Sequence, residues 1–264
     1  MSAGAAPRHI SSAANPLLRQ VQRLAADPGA YRRLGLAWLE GDHLCRAYVA
    51  RGGVPREAVL AERAMASPAL AGLAAHAERV SVIDDKLMAA FSTLESPAAI
   101  GFLVAVPAAS RPLAEPVTGL VLDRLQDAGN VGSILRSAAA LGVRQVVALK
   151  GTVALWSHKV LRAGMGAHFS LRLVEGVACD DEETLGLVAA PWVATSSHGG
   201  VDLPQARLPR PCTWVFGHEG QGVAPALLAR CTTTVCIPQP GGEESLNVAA
   251  AAAICLYASQ LAAG

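Results

Sequence analysis

The sequence is short of charge and has no surplus of either sign. Asp, Glu, Lys and Arg make up 16% of its 264 residues, and the formal net charge is +1. A strongly basic chain would announce a polyanionic partner, and nothing at whole-chain level does so. No apolar run reaches the roughly 18–20 residues that a membrane-spanning helix needs. The nearest, Val248–Tyr257, is too short. The opening residues, MSAGAAPRHISSAANP, lack the apolar centre of a secretory signal. A cytoplasmic protein is expected. Six cysteines are scattered at Cys45, Cys179, Cys212, Cys231, Cys236 and Cys255. They form no CxxC pair, and no histidine pair accompanies Cys231 and Cys236. Zinc and disulfide frameworks are therefore disfavoured, no metal is expected, and the cysteines read as small buried hydrophobes. A GxGxxG dinucleotide fingerprint is also missing.

What is present is apolar bulk. Hydrophobic residues make up 52% of the chain, which points to a well-packed fold and away from disorder. Much of that bulk is alanine, so the mean hydropathy of +0.34 overstates the greasiness. Charge is unevenly spread. Between Met1 and Leu60 stand Arg8, Arg19, Arg23, Arg32, Arg33, Arg46, Arg51 and Arg56, against Asp27, Glu40, Asp42 and Glu57. Every cation there is arginine, whose planar fork suits phosphate. A solvated helix face would read the same way. Arg19, Arg23, Arg32 and Arg33 are the candidate RNA contacts.

Prolines in VPAASRPLAEPVTG mark a composition shift. The expected organisation is an N-terminal domain over 1–108, a linker over 109–116 and a C-terminal domain over 117–264. In the first part, NPLLRQVQRLAADP has helical spacing, AWLEGDHLCRAYVARG reads as strand into helix, and REAVLAE, RVSVID and AAIGFLVAV read as strands. The second part alternates more regularly. GLVLDRL, VRQVVAL, FSLRLV, PWVATSS, CTWVFG and TTVCIP are strand candidates, with helices over Gly132–Leu141, Leu155–Gly164, Asp181–Ala189 and Gly222–Arg230. Such alternation implies an α/β fold with a parallel sheet, whose ligands bind beyond the carboxyl ends of the strands.

Three polar loops fall at those ends. In VLDRLQDAGNVGSILRSAAALG the chain turns through Asp127–Asn130, and a helix is expected from Gly132. Arg136 is the odd residue, placed about one turn into an otherwise apolar helix, as if near an anion. In WVFGHEGQGV, Gly217, Gly220 and Gly222 let backbone approach a ligand closely. Glu219 could bind a hydroxyl or cap a helix, and His218 has no partner in sequence. In IPQPGGEESLNVAAAAAICLY, Ser245 is a good N-cap and Glu243 and Glu244 favour the positive helix end. That leaves Asn247 unexplained, along with a helix of alanine that folds readily but buries little.

These loops, in this order, resemble the SpoU/TrmH family of RNA ribose 2′-O-methyltransferases within the SPOUT superfamily. Asn130, Gly132 and Arg136 match one motif. Gly217, Glu219, Gly220 and Gly222 match a second, and Ile237, Pro238, Ser245, Leu246, Asn247 and Val248 a third. HKVLRAGMGAHFSLRL resembles the intervening segment. One departure is Asp127-Ala128, where many members have Asp-Pro. The N-terminal part resembles, more loosely, a small ribosomal-protein-like RNA-binding domain.

The resemblance implies a C-terminal SPOUT domain with a trefoil knot, S-adenosylmethionine as methyl donor, and a homodimer whose sites draw on both chains. It implies that Gly217, Ile237 and Leu246 hold the cofactor, with Thr195 beside them. Asn130, Ser245 and Asn247 would orient the ribose and Arg136, and Glu219 would organise the loop or bind RNA. The family assigns proton removal to the residue matching Arg136. A guanidinium is hardly ever deprotonated in proteins, so stabilisation of a forming alkoxide suits it better. The alanines would be clearance for close packing. Ribosomal RNA is favoured over transfer RNA as substrate. A catalytically silent RNA-binding protein on the same scaffold is the alternative. A nicotinamide-dependent oxidoreductase is disfavoured by the missing glycine fingerprint.

Overall fold

The helix that the spacing of NPLLRQVQRLAADP predicts forms, and Asn15 and Pro16 open it. The Asn15 side chain accepts from the Leu17 amide at 2.9 Å, Pro16 takes a position that needs no amide, and Leu18, Val21 and Leu24 face inward. The structure, a computed structural model, describes residues 6–92, 96–108, 111–242 and 245–261. Ala109 and Ser110 of the expected linker, and Glu243 and Glu244, lie outside the described residues. Contacts group the chain into two units, one of residues 1–108 with 156–169, the other of 109–155 with 170–264.

The N-terminal elements are β1 (Arg8–Ile10), α1 (Pro16–Ala26), α2 (Ala30–Leu34), β2 (Leu36–Glu40) and α3 (Asp42–Ala50). They continue with β3 (Glu57–Ala61), α4 (Pro68–Ala74), β4 (Val80–Ile83), α5 (Asp85–Phe91) and β5 (Ile100–Ala105). The strands form one sheet in the order β1-β4-β3-β5-β2. β1, β4 and β3 run parallel, while β5 is antiparallel to both β3 and β2. All five residues of β2 are buried, so its charged end, Glu40, is carried into the interior. Gly101 faces Trp38, where a Cβ would sit 2.2 Å from the indole.

The chain continues with β6 (Gly119–Leu122), α6 (Ala128–Ala140), β7 (Gln145–Leu149), α7 (His158–Gly164), β8 (Arg172–Val177) and α8 (Glu182–Gly186). Then follow β9 (Trp192–Thr195), β10 (Val201–Asp202), β11 (Thr213–Phe216), α9 (Pro225–Leu228), β12 (Thr233–Cys236) and α10 (Val248–Leu261). The seven strands form a second sheet, β10-β12-β9-β11-β6-β7-β8, parallel throughout. Its core includes Val121, Val147, Val215 and Leu227, and Trp214 stacks on Phe216.

The structure departs from the sequence reading in several places. β1 and β10, three and two residues long, are too short to show a period. The strand expected from Phe169 begins at Arg172, because Ala167–Ser170 form a 3-10 turn. α7 groups with the N-terminal unit and packs on β2 and α1. There His158 Nε2 lies 2.9 Å from Glu40 Oε2, both side chains 2% exposed. Finally, only Cys45, Cys212 and Cys255 are buried, and Cys179 is exposed. Burial pushes the thiol of Cys231 up to about 11 and, with Cys212 nearby, that of Cys255 up to about 12. Neither is a nucleophile at neutral pH. Among the described residues no helix is long and apolar enough to cross a membrane, and no cluster of side chains is arranged to hold a metal.

Candidate functional site

β12, β9, β11 and β6 are neighbours in the parallel sheet, so the loops leaving their carboxyl ends meet above one edge. This is where open α/β sheets place ligands. The loop after β6 ends in a cap. The Asp127 carboxylate accepts from the Asn130 amide at 2.7 Å, which draws Ala128–Val131 into the first turn of α6. The helix therefore starts four residues before Gly132. Ala128 fills the first helical position, which tolerates proline because its amide needs no helical partner.

Asn130 then faces both other loops. Its Oδ1 accepts from Asn247 Nδ2 at 2.9 Å, and its Nδ2 donates to Glu219 Oε1 at 3.4 Å. Glu219 also accepts from the amides of Gln126 and Asp127, each at 3.3 Å. Partial burial alone would raise the Glu219 pKa. The hydrogen bonds, from its own amide, Gln126, Asn130 and Asp127, outweigh it and hold the carboxyl below its usual range. One chain of polar contacts thus ties three loops separated by 117 and 89 residues.

Asn247, not Ser245, caps α10. Its Oδ1 accepts from the Ala249 amide at 2.9 Å and from the Ala250 amide at 3.3 Å. Ser245 stays exposed in the loop and lines the pocket described next. The alanine helix packs against α6, and its Ala252 is fully buried. Its far end is pinned: Ser259 Oγ accepts from Trp214 Nε1 at 2.9 Å, and Gln260 Nε2 donates to the Leu141 carbonyl at 2.7 Å. Small side chains allow that approach.

Beside this chain of contacts lies a pocket of ≈ 480 Å³, lined by Thr195, Gly217, Ile237, Ser245 and Leu246 among others. The volume falls within the range of small-molecule sites, roughly 300–1,000 Å³. The Thr195 hydroxyl donates to the Val215 carbonyl at 3.2 Å, joining β9 to β11 at the mouth. Gly217 admits no side chain, since a Cβ would stand 2.1 Å from the backbone carbon of Gly222. His218 and Gly222 exchange both backbone hydrogen bonds, at 3.1 and 2.8 Å. His218 Nδ1 accepts from the amides of Gly220 and Gln221, at 3.0 and 3.3 Å. His218 therefore shapes the loop, and its Nδ1 lone pair is committed there.

Sequence reading missed Asp123 and Arg124. Asp123 is 1% exposed, and its carboxylate accepts from the Ala224 amide at 2.8 Å. Arg124 holds that carboxylate with two nitrogens, at 2.8 and 3.0 Å, and donates to Gln221 Oε1 at 2.8 Å. Arg124 does this from the left-handed region, at φ 59°, where non-glycine residues are uncommon. The only signal was Asp-Arg at a strand end, too common to single out.

Arg136 is placed differently from the sequence expectation. It is the ninth residue of α6, more than two turns in, roughly 12 Å along the axis from the helix mouth. It is exposed, and it lines neither the pocket nor the Asn130–Glu219–Asn247 chain. In the other unit the four candidate RNA contacts separate. Arg19 and Arg23 line an open concavity. Arg33 pairs with Asp27 at 2.5 Å, and the Arg32 guanidinium lies 5.1 Å from the centre of the Tyr31 ring.

Residues 118–257 match the model of the SpoU rRNA Methylase family. The chain is 33% identical over 257 residues to an uncharacterised tRNA/rRNA methyltransferase of Synechocystis, covering 94% of this chain and 92% of the relative. It is 28% identical over 220 residues to a 23S rRNA guanosine 2′-O-methyltransferase, RlmP, of Bacillus subtilis, covering 83% and 86%. In structure it is similar to the SpoU methyltransferase AviRb of Streptomyces viridochromogenes in complex with AdoMet. The TM-score is 0.84 at 27% identity, covering 95% of this chain and 99% of that one.

Proposed function

The chain belongs to the SpoU rRNA Methylase family, and from that premise we propose that it transfers a methyl group from S-adenosylmethionine to a ribose 2′-hydroxyl of RNA. The observation that carries this reading is the linkage of Asn130, Glu219 and Asn247 beside a pocket floored by a glycine that admits no Cβ. The pocket's residues fit the cofactor. Backbone around Gly217, Ile237 and Leu246 offers donors and acceptors at close range, and the Ile237 and Leu246 side chains add an apolar wall. S-adenosylmethionine supplies an electrophilic methyl group whose transfer leaves a neutral thioether.

The chain's own residues do the rest. Asn130, Ser245 and Asn247 orient the ribose, and Glu219 fixes the loops around it. As the new bond forms the hydroxyl proton passes to solvent water, and the leaving thioether takes the electron pair of the broken S–C bond. Arg136 stays cationic and stabilises the forming alkoxide. It does so at a site completed by a second copy, since it stands apart from the pocket of its own chain. In this reading the second copy docks through α10. Ile254, Tyr257 and Leu261 recur on one face of this helix and are 41%, 57% and 65% exposed. Tyr257→Glu should yield monomers in sedimentation velocity. A variant that sediments like the wild type would exclude this face.

Residues 1–108 serve as the RNA-binding domain and 117–264 as the catalytic domain. We favour ribosomal RNA over transfer RNA, and 23S rRNA in particular, because RlmP, which matches over most of both chains, is a 23S rRNA methyltransferase. A trefoil knot formed by the C-terminal chain is supported by the insertion of β12 between β9 and β10 and by the presence of Ile237, Gln239, Ser245 and Leu246 in the pocket formed by the loops after β9 and β11. The protein acts in the cytoplasm.

The test is transfer of labelled methyl from S-adenosylmethionine to total RNA of a strain lacking the gene. Label in a ribosomal band supports the full reading. RNA binding without label would replace it with the silent RNA-binding alternative. Gly217→Ala should weaken S-adenosylmethionine binding in calorimetry by at least ~10-fold, about 1.4 kcal/mol. An unchanged Kd would remove Gly217 from the site.

A further inference from the structure

The concavity of the N-terminal unit has a volume of ≈ 600 Å³, and five arginines line it: Arg8, Arg19, Arg23, Arg56 and Arg79. The topology gathers them from a stretch of sequence that runs from Arg8 to Arg79. β1, β4 and β3 are adjacent and parallel, with Arg8 opposite Ser81 and Val80 opposite Ala58. Arg8 opens β1, Arg79 directly precedes β4 and Arg56 directly precedes β3. Three guanidinium side chains therefore spring from the amino ends of three neighbouring strands, which lie about 4.8 Å apart. Arg19 and Arg23 are one turn apart on the exposed side of α1, opposite its buried Leu18, Val21 and Leu24.

Among the described residues only one carboxylate lines the same concavity, Glu57, and it is spoken for. It is buried and accepts from Arg79 Nε at 2.8 Å and from Ser81 Oγ at 2.7 Å. Arg8, Arg19, Arg23 and Arg56 form no ion pair among the described residues and are exposed. Four like charges around one hollow repel one another, and a cleft lined by one sign of charge raises the local concentration of the opposite ion. Among the described residues no aromatic side chain lines it, so they offer no platform for stacking bases.

Building on the methyltransferase reading above, we propose that this concavity is a phosphodiester cradle that grips the RNA backbone at Arg8, Arg19, Arg23, Arg56 and Arg79 without reading bases. Forked guanidiniums bind phosphate oxygens in pairs, and a site with phosphate contacts alone positions RNA without choosing its sequence. Selection of the modified nucleotide then falls to the catalytic unit. Arg32 and Arg33, engaged by Tyr31 and Asp27, are outside the cradle.

The test uses the full-length protein and a fluorescein-labelled oligouridine, followed by anisotropy across a salt series. Arg19→Ala/Arg23→Ala/Arg56→Ala should raise Kd at least ~10-fold at low salt. It should also flatten the slope of log K against log salt by about 2, at roughly 0.7 per lost phosphate contact on a single strand. These side chains are exposed, so circular dichroism and S-adenosylmethionine binding should match the wild type. Arg32→Ala/Arg33→Ala should leave the slope unchanged, and oligocytidine should bind as oligouridine does. An unchanged slope in the triple variant would overturn the cradle. So would displacement of RNA by polyglutamate of equal charge at equal concentration, which would make the hollow a dock for acidic protein. A wild type that binds RNA with the expected slope but transfers no methyl would sink the methyltransferase reading and leave the cradle standing.

Discussion

Arg136→Ala is expected to lower kcat for methyl transfer by about 10²–10³-fold, the range seen when one donor to a developing oxyanion is removed. Stability should change little. The side chain is exposed on α6, and alanine is a better helix former than arginine. S-adenosylmethionine affinity should also hold, since Arg136 does not line the pocket. Arg136→Lys separates charge from proton transfer. It keeps a cation but loses the planar fork, so partial recovery of kcat with an unshifted pH–rate profile is expected for an electrostatic role. A new alkaline limb in the lysine variant would show that the residue at this position acts as a base. A loss of folding in Arg136→Ala would make the arginine structural and end the catalytic assignment.

The second large effect belongs to the N-terminal unit. His158→Leu should destabilise the protein by about 3–5 kcal/mol, because it leaves the Glu40 carboxylate buried without its partner. Burial alone would raise the Glu40 pKa. Hydrogen bonds from His158 and Ser92, with the charges of His158 and Arg162, outweigh it and hold Glu40 below its usual range. The sign follows from that depression. Glu40 contributes its full stabilisation above the unfolded carboxylate pKa, near 4.3, and loses it as pH falls through the lower folded value. The gap between wild type and His158→Leu in urea midpoint should therefore be wide at neutral pH and narrow below about pH 4. Glu40→Leu/His158→Leu should recover much of the loss, since a buried pair replaced by apolar side chains is often neutral. A single variant as stable as the wild type would mean that the contact carries no net energy.

Much of the second sheet was readable before folding. Runs such as VRQVVAL and CTWVFG are apolar along their length because both faces of a parallel strand are covered, and both became strands. The glycine-rich loop was readable too, since crowding at Gly217 forbids any other residue. Errors gathered at the ends of elements. Asp127, Gly129 and Asn130 have turn chemistry, so the start of α6 was put at Gly132, while the Asp127 cap pulls it back to Ala128. The same competition moved the cap of α10 from Ser245 to Asn247, where a longer amide side chain reaches two backbone donors and Asn130 as well.

The sequence by itself determined the alternation of strands and helices, the loops that carry the polar groups, and the chemistry those groups can do. Each depends on a residue and its near neighbours, through period, propensity and crowding. Only the tertiary structure decided which groups meet. Asn130 reaches Asn247 across 117 residues because strand order brings the loops after β6 and β12 to one end of a sheet. Arg8, Arg56 and Arg79 surround one hollow because three strands distant in sequence lie side by side and parallel. Arg33, one residue from Arg32 and alike in sequence to Arg23, is turned instead toward Asp27. Charge in a sequence has sign and position but no direction, and the direction is set by packing.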